Sequence, residues 1–223
     1  MSTEPVDRDA ARWGGIAGIA LAVLYVVAIL LMTGTPNGDE SNAKWRDYFL
    51  DSGHRNQIVA GAFVMGVAMV ALILFVAALR VQFRVVRGSE WLSTVSLTSG
   101  IILAAMLAVA AAAMAAIPAD TAFPNAPVPR DADIMRSIES IGFTALLVFG
   151  MAAAGLLMIS SSVGGGRAAL LPRWFVITSV VAGVIVMIGG FVFLPMILFV
   201  LWSLASGIFL IRSRNRELVA EGA

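Results

Sequence analysis

Residues 174–211 read WFVITSVVAGVIVMIGGFVFLPMILFVLWSLASGIFLI, thirty-eight positions without a charged side chain. An α-helix rises about 1.5 Å per residue and needs roughly 20 apolar residues to cross a 30 Å hydrocarbon core. The stretch is too long for one crossing, and Gly189-Gly190 and Pro195 cut it. It predicts two short helices, about 174–189 and 195–211, joined by a tight turn. Working back toward the N-terminus, further uncharged runs lie at about 13–33, 56–79, 91–117 and 140–160, each the length of one span. The fold class expected is an all-α membrane protein with six transmembrane helices in three hairpins. Residues 13–211 form its single membrane domain, between a segment 1–12 and a tail 212–223.

Composition agrees. Of 223 residues, 60% are hydrophobic and 13% are charged, against about 45–50% and 25% in a soluble domain. So few charges cannot cover a soluble body of this size, which excludes a soluble enzyme and a disordered chain. A net charge of +1 offers no basic field for nucleic acid. Cysteine is absent, so disulfides, thiolate metal sites and cysteine nucleophiles are excluded. His54 is the sole histidine, which rules out a paired-histidine metal or haem site within one chain. No cofactor is expected.

Orientation follows from the basic residues. With six spans, one side holds Arg8, Arg12, Arg80, Arg84, Arg87, Arg167, Arg173, Arg212, Arg214 and Arg216. The other side holds Lys44, Arg46, Arg55, Arg130 and Arg136. This split of ten to five puts both termini in the cytoplasm. The preference for Arg over Lys, with abundant Ala, Val and Gly, suggests a GC-rich bacterial genome and hence a bacterial cytoplasmic membrane. The first apolar run exceeds the roughly 7–15 residues of a signal-peptide core and lacks an A-x-A site, so it reads as an uncleaved anchor.

The first two external loops share a build. In each, a Pro-Asn pair (Pro36-Asn37, Pro124-Asn125) precedes a polar, helix-prone stretch that runs directly into the next span, a pattern that allows a repeated hairpin. In the first loop Asp39 or Ser41 can cap a helix and Gly53 can end it. Trp45, Tyr48 and Phe49 stand at i, i+3 and i+4 and share one face of it. Two readings of this short amphipathic helix stay open: an interfacial helix with its aromatics at headgroup level, or a lid over a cavity opening outside.

No Asp, Glu, Lys, Arg or His interrupts any of the apolar runs. A proton-coupled pump or an intramembrane hydrolase needs such groups at depth. The ionisable candidates sit at the outer boundary. His54 is an interfacial residue or a headgroup contact, and Glu139 either pairs with Arg136 one turn earlier or lines an outer pocket with Asp120. In the third span Ser93, Thr94, Ser96, Thr98 and Ser99 can bond across helices, and Ser96, Gly100, Ala104, Ala108, Ala112 and Ala116 form a ladder of small residues. Shorter ladders at Gly14/Gly18, Ala62/Gly66, Gly150/Ala154, Ser179/Gly183 and Ser203/Gly207 point to a compact bundle.

Three pieces carry a resemblance: Arg12 to Gly18 (RWGGIAG), Leu171-Pro172-Arg173-Trp174, and the ending from Leu201-Trp202 through Gly207, Leu210 and Arg212. In this order they resemble a family of uncharacterised bacterial six-span integral membrane proteins, a domain of unknown function. The resemblance implies the topology and supplies no site.

The function expected is that of a non-catalytic polytopic membrane protein which binds a partner or organises the membrane. The alternative is a small transporter or a lipid- or amphiphile-binding protein with an uncharged cavity open to the outside. Membrane lipids and a protein partner or second copy are the expected contacts, made through Trp45, Tyr48, Phe49, His54, Asp120 and Glu139. A lipid-directed enzyme at the outer interface, using Glu139, Asp120 or His54, is the remote third option.

Overall fold

The computed structural model describes residues 8–84, 90–123, 126–189 and 194–221, and among them every regular element is helical. The helices are α1 (Arg8–Met32), α2 (Asn42–Leu50), α3 (Ser52–Arg84), α4 (Glu90–Ala122), α5 (Ala132–Thr144), α6 (Met151–Arg167), α7 (Arg173–Ile188) and α8 (Leu194–Glu221). A six-residue π-helical stretch, Ala145–Gly150, joins α5 to α6 without a break.

Five helical runs are long and apolar enough to cross a membrane: Asp9–Met32, Ser52–Phe83, Glu90–Ala122, Ala132–Arg167 and Leu194–Arg212. They suit a multi-pass membrane protein. The exception among the six predicted spans is α7, whose 16 residues rise about 24 Å. The cut between α7 and α8 falls where Gly189-Gly190 and Pro195 place it, although residues 190–193 lie outside the described residues. So do Pro124-Asn125, Arg87, and residues 1–7 and 222–223.

Several helices outrun the apolar stretches that predicted them. The loop expected over 118–139 is mostly helix: α4 carries through Pro118 to Ala122, and α5 starts at Ala132. Polar caps account for part of this. The Asp131 carboxylate accepts from the Asp133 amide at 2.9 Å and starts α5. Asp51 accepts from the Gly53 and His54 amides at 2.6 and 3.2 Å and starts α3. Gly53 therefore opens α3, whereas the sequence assigned it to the end of α2.

Around the bundle the chain follows its own order: α1 packs on α3, α3 on α4, α4 on α6, α6 on α7 and α7 on α8. The ring closes between α8 and α1, and α8 lies along α1 far more extensively than along α7. Glycine sets two close backbone approaches. A Cβ on Gly15 would stand 2.7 Å from the Gly207 carbonyl, and one on Gly207 would stand 2.7 Å from the Gly15 carbonyl. Gly155 of α6 and Gly183 of α7 meet in the same reciprocal way. Side chains fill the rest. Tyr25 meets Phe199 edge-on at 5.9 Å, Phe75 meets Trp202 at 5.8 Å, and the Trp202 indole donates to Ser162 Oγ at 3.0 Å. Ser96 and Ser161 bond across α4 and α6 at 2.9 Å, the interhelical use of hydroxyls that the sequence suggested.

The ladder on α4 is used for half its length. Ser96, Gly100 and Ala104 are buried, Ala108 is half-buried, and Ala112 and Ala116 are exposed. Steps of four drift about 40° at 3.6 residues per turn, so the stripe leaves the interface. Leu107, Ala111 and Ala115 take over as the buried face.

A second, smaller core sits at one end of the bundle: Trp45, Phe49, Ile58, Ala115, Ile117, Ala132 and Met135. It seats α2 on α3, α4 and α5, and it forms the cap described next.

Candidate functional site

The chain leaves α1 and turns at Gly34, whose φ of +119° is a conformation that side chains rarely adopt. It then crosses Thr35 to Glu40 and starts α2, where Ser41 accepts the Lys44 amide at 3.3 Å as the N-cap. The other end of α2 is closed by Arg55 of α3, whose Nη1 donates to the Phe49 and Leu50 carbonyls at 2.7 Å each. A cation on the last carbonyls of a helix satisfies orphan acceptors and suits the helix dipole. Between these two caps the aromatic face of α2 turns inward. Trp45 and Phe49 are buried, and Tyr48 is half-buried. In the structure Trp45 and Phe49 pack on protein in the small core, so that α2 lies over this end of the bundle like a lid.

Arg136 of α5 fastens this lid. Its Nη2 donates to the Glu40 carbonyl at 2.6 Å, and its guanidinium stands 5.6 Å from the Trp45 ring centroid. The Trp45 indole in turn donates to the Asn37 carbonyl at 3.0 Å. Sequence reasoning paired Arg136 with Glu139. Instead its Nη1 donates to Asp133 Oδ1 at 2.7 Å, three residues toward the N-terminus.

Glu139 is thereby left without its expected partner. It is 6% exposed, and neither carboxylate oxygen meets a hydrogen-bond donor in good geometry. It lines a pocket of about 200 Å³ beneath the lid, with Thr35, Asn37, Trp45, Arg136, Ser140 and Phe143 among the walls. On the other side of residues 35–37 lies a wider groove of about 410 Å³ that includes Glu40, Lys44, Asp47, Tyr48, Asp51 and His54. Lys44 is tied there to Glu40 at 2.6 Å. Burial raises the Tyr48 phenol above its ordinary pKa, and the Glu139 carboxylate nearby pushes it the same way. Asp51, fully exposed, is held below its ordinary value by the amides of His54 and then Gly53.

The six residues singled out in the sequence separate into four surroundings. Trp45 and Glu139 share the pocket, while Tyr48 and His54 share the groove, their rings stacked at 4.3 Å. Phe49 belongs to the small core under the lid. Asp120 is exposed on the last turns of α4, where its carbonyl accepts the Ala126 amide at 3.2 Å. It is not among the walls of Glu139's pocket, so the structure does not bring the two together as the second of the two sequence alternatives had it. Thr35, Asn37, Ser140 and Phe143 were not foreseen. Phe143 alone carried a signal, since it follows Glu139 by four residues on the same helix face.

An apolar groove of about 370 Å³ runs between α3 and α4, lined by Phe63, Met69, Ala108 and Phe123 among others. A cavity between Phe83, Ser161, Trp202 and Ser206 measures about 10 Å³, at or below the minimum for one water. Among the described residues no group of three His, Cys, Asp or Glu side chains is placed to hold a metal ion. The chain matches no family model, and no curated protein or solved structure proved similar to it.

Proposed function

We propose that this is a non-catalytic polytopic membrane protein that works through the α2 cap, where it binds a ligand or partner, and not through a path across the bundle. In this reading six helices span a bacterial cytoplasmic membrane, with both termini inside and the cap outside. The ten-to-five distribution of basic residues supports that orientation. The short crossing is α7, with Arg173 and Trp174 at its start as snorkelling and interfacial anchors. The three motifs noted above favour a place in the uncharacterised six-span family they resemble.

The observation that carries the reading is the buried carboxylate of Glu139, beside the Thr35 hydroxyl but paired with no basic side chain, beneath a lid fastened at both ends. A buried charge without a partner is costly, and the bundle core does not use it. A catalytic role lacks its constellation, because Glu139, His54 and Asp120 stand in different surroundings. The alternative, an amphiphile-binding protein or small transporter, draws on the same pocket through its uncharged walls of Thr35, Ser140, Trp45 and Phe143.

Purification in mild detergent, followed by mass spectrometry of bound lipids and proteins, tests this. A ligand or partner retained by the native chain is expected to be lost from Arg136→Ala and Trp45→Ala. Retention by both variants would remove the cap from the function. Reporter fusions at the C-terminus and within 35–56 are expected on opposite sides of the membrane, and the same side would end the six-span reading.

A further inference from the structure

The pocket under α2 holds a carboxylate, that of Glu139, which no basic side chain pairs. Glu139 is 6% exposed, and the donor beside its carboxylate is the neutral Thr35 hydroxyl, outside good hydrogen-bond geometry. The only basic side chain on the walls is Arg136, and its two terminal nitrogens are committed to Asp133 and to the Glu40 carbonyl. Three kinds of species can complete such a carboxylate: a proton, a metal ion or an organic cation. A hard metal ion collects six or more oxygens, and the pocket supplies one carboxylate. An organic ammonium asks for less, a single carboxylate beside aromatic faces. Trp45 and Phe143 line the pocket with Glu139, and Thr35 and Ser140 add hydroxyls that accept N–H hydrogen bonds. The volume of about 200 Å³ is more than ten times what one water requires, so a group of several heavy atoms fits. The Arg136 Nε is also buried without an acceptor, which gives the same wall a donor for an oxygen carried near the cation.

We infer that the pocket of Glu139, Trp45, Phe143, Thr35 and Ser140 binds a small organic ammonium group carried beside an oxygen acceptor, with Glu139 as its counter-ion. This chemistry has two sources: the ethanolamine headgroup of a phospholipid, and a free amino alcohol in solution. The inference rests on the reading of the cap as a ligand-binding surface and narrows it to a ligand class.

The test uses the full chain in two preparations. Delipidated protein in detergent is titrated calorimetrically with ethanolamine and O-phosphoethanolamine. In parallel, protein in nanodiscs of mixed phosphatidylethanolamine and phosphatidylglycerol is examined by native mass spectrometry for retained lipid. Saturable binding of the free amines identifies the soluble source. Selective retention of phosphatidylethanolamine without it identifies the headgroup. In either case Glu139→Gln, which keeps the side-chain shape and removes the charge, is expected to weaken binding about tenfold to a hundredfold, the worth of one charge-assisted hydrogen bond. Asp47→Asn, on the wider groove, is expected to leave it unchanged. A Glu139→Gln protein that elutes as a single species and binds like the native chain overturns the inference, as does the absence of both kinds of binding. Retention of phosphatidylglycerol, lost on Trp45→Ala, overturns the ammonium yet keeps the cap as a ligand surface. No lipid or amine sensitive to any cap substitution overturns both.

Discussion

Arg136→Ala is the substitution that best separates the cap from the bundle. It deletes a charged-donor hydrogen bond of 2.6 Å to the Glu40 carbonyl, worth about 1.5–3 kcal/mol when the donor is ionised. It also deletes the guanidinium at 5.6 Å from the Trp45 ring, worth about 0.5–1 kcal/mol. The ion pair with Asp133 adds close to nothing, because that carboxylate is 78% exposed and exposed pairs contribute about 0–1 kcal/mol. The sum, about 2–4 kcal/mol, falls on the lid, because the contacts that Arg136 makes outside its own helix are to Glu40 and Trp45 and not to another long helix. At about 1.4 kcal/mol per tenfold, local opening of α2 is expected to become about 30-fold to several-hundred-fold more frequent. Hydrogen–deuterium exchange on detergent-solubilised protein reads this directly. Amides of residues 42–50 are expected to exchange faster by that factor while those at the centres of α3 and α4 do not change. Arg136→Lys is expected to recover only part of the protection, since an ammonium lacks the planar fork that reaches Asp133 and Glu40 together. Unchanged exchange in α2, or a loss spread evenly over the bundle, would refute the claim that Arg136 fastens the lid.

Gly183→Leu forces a side chain against the Gly155 carbonyl, and overpacking of this kind costs about 1–3 kcal/mol or more. A lower melting temperature in detergent checks it, and Gly66→Ala, at a position where an added Cβ meets nothing within 4 Å, is the control expected to show no such loss. Trp202→Phe keeps the ring contacts and removes the bond to Ser162, so the loss is expected to be about 1 kcal/mol, in the range of interhelical bonds in membranes, read from a reversible unfolding titration. Asp51 has its pKa lowered by the fold, so its capping contribution is present above the ordinary value of 3.8 and is lost as pH falls through the folded value. The first turn of α3 is therefore expected to lose exchange protection on acidification below about pH 4, after correction for intrinsic rates. Asp51→Asn, which keeps a capping oxygen without a titrating group, is expected to flatten that dependence.

The parts of the fold that the sequence made legible were those governed by one-dimensional constraints. Within the run 174–211, α7 ends at Ile188 with Gly189 as its cap, and Ser41 caps α2 with Trp45 and Phe49 on its buried face. Boundaries were misjudged where apolar character stops before helical character does. The polar turns 52–55 and 132–139 are helical because Asp51 and Asp131 cap them and because Ile58, Ala132 and Met135 have the small core to bury into. Hydropathy reports where lipid can be, and caps report where a helix begins; residues 118–139 obey the second rule.

Arg136 illustrates why the site itself was harder to read. At three residues' spacing, Asp133 and Glu139 are both eligible partners for it, one toward the N-terminus and one toward the C-terminus. The choice is made by a carbonyl 96 positions away in the chain, that of Glu40. To reach it, the guanidinium extends over Trp45, and from there Asp133 is the carboxylate within range. The long-range bond is what strands Glu139, and no local pattern announces a backbone acceptor delivered by a distant loop. The same bond accounts for a carboxylate on the wall of this pocket that no basic side chain pairs. Glu139 counts as the boundary residue of a span in one dimension, and becomes a buried carboxylate only once α2 is seated over it. Lid and counter-ion thus depend on one another through Arg136, so a substitution that frees the arginine is expected to loosen the lid and offer Glu139 a partner in the same step.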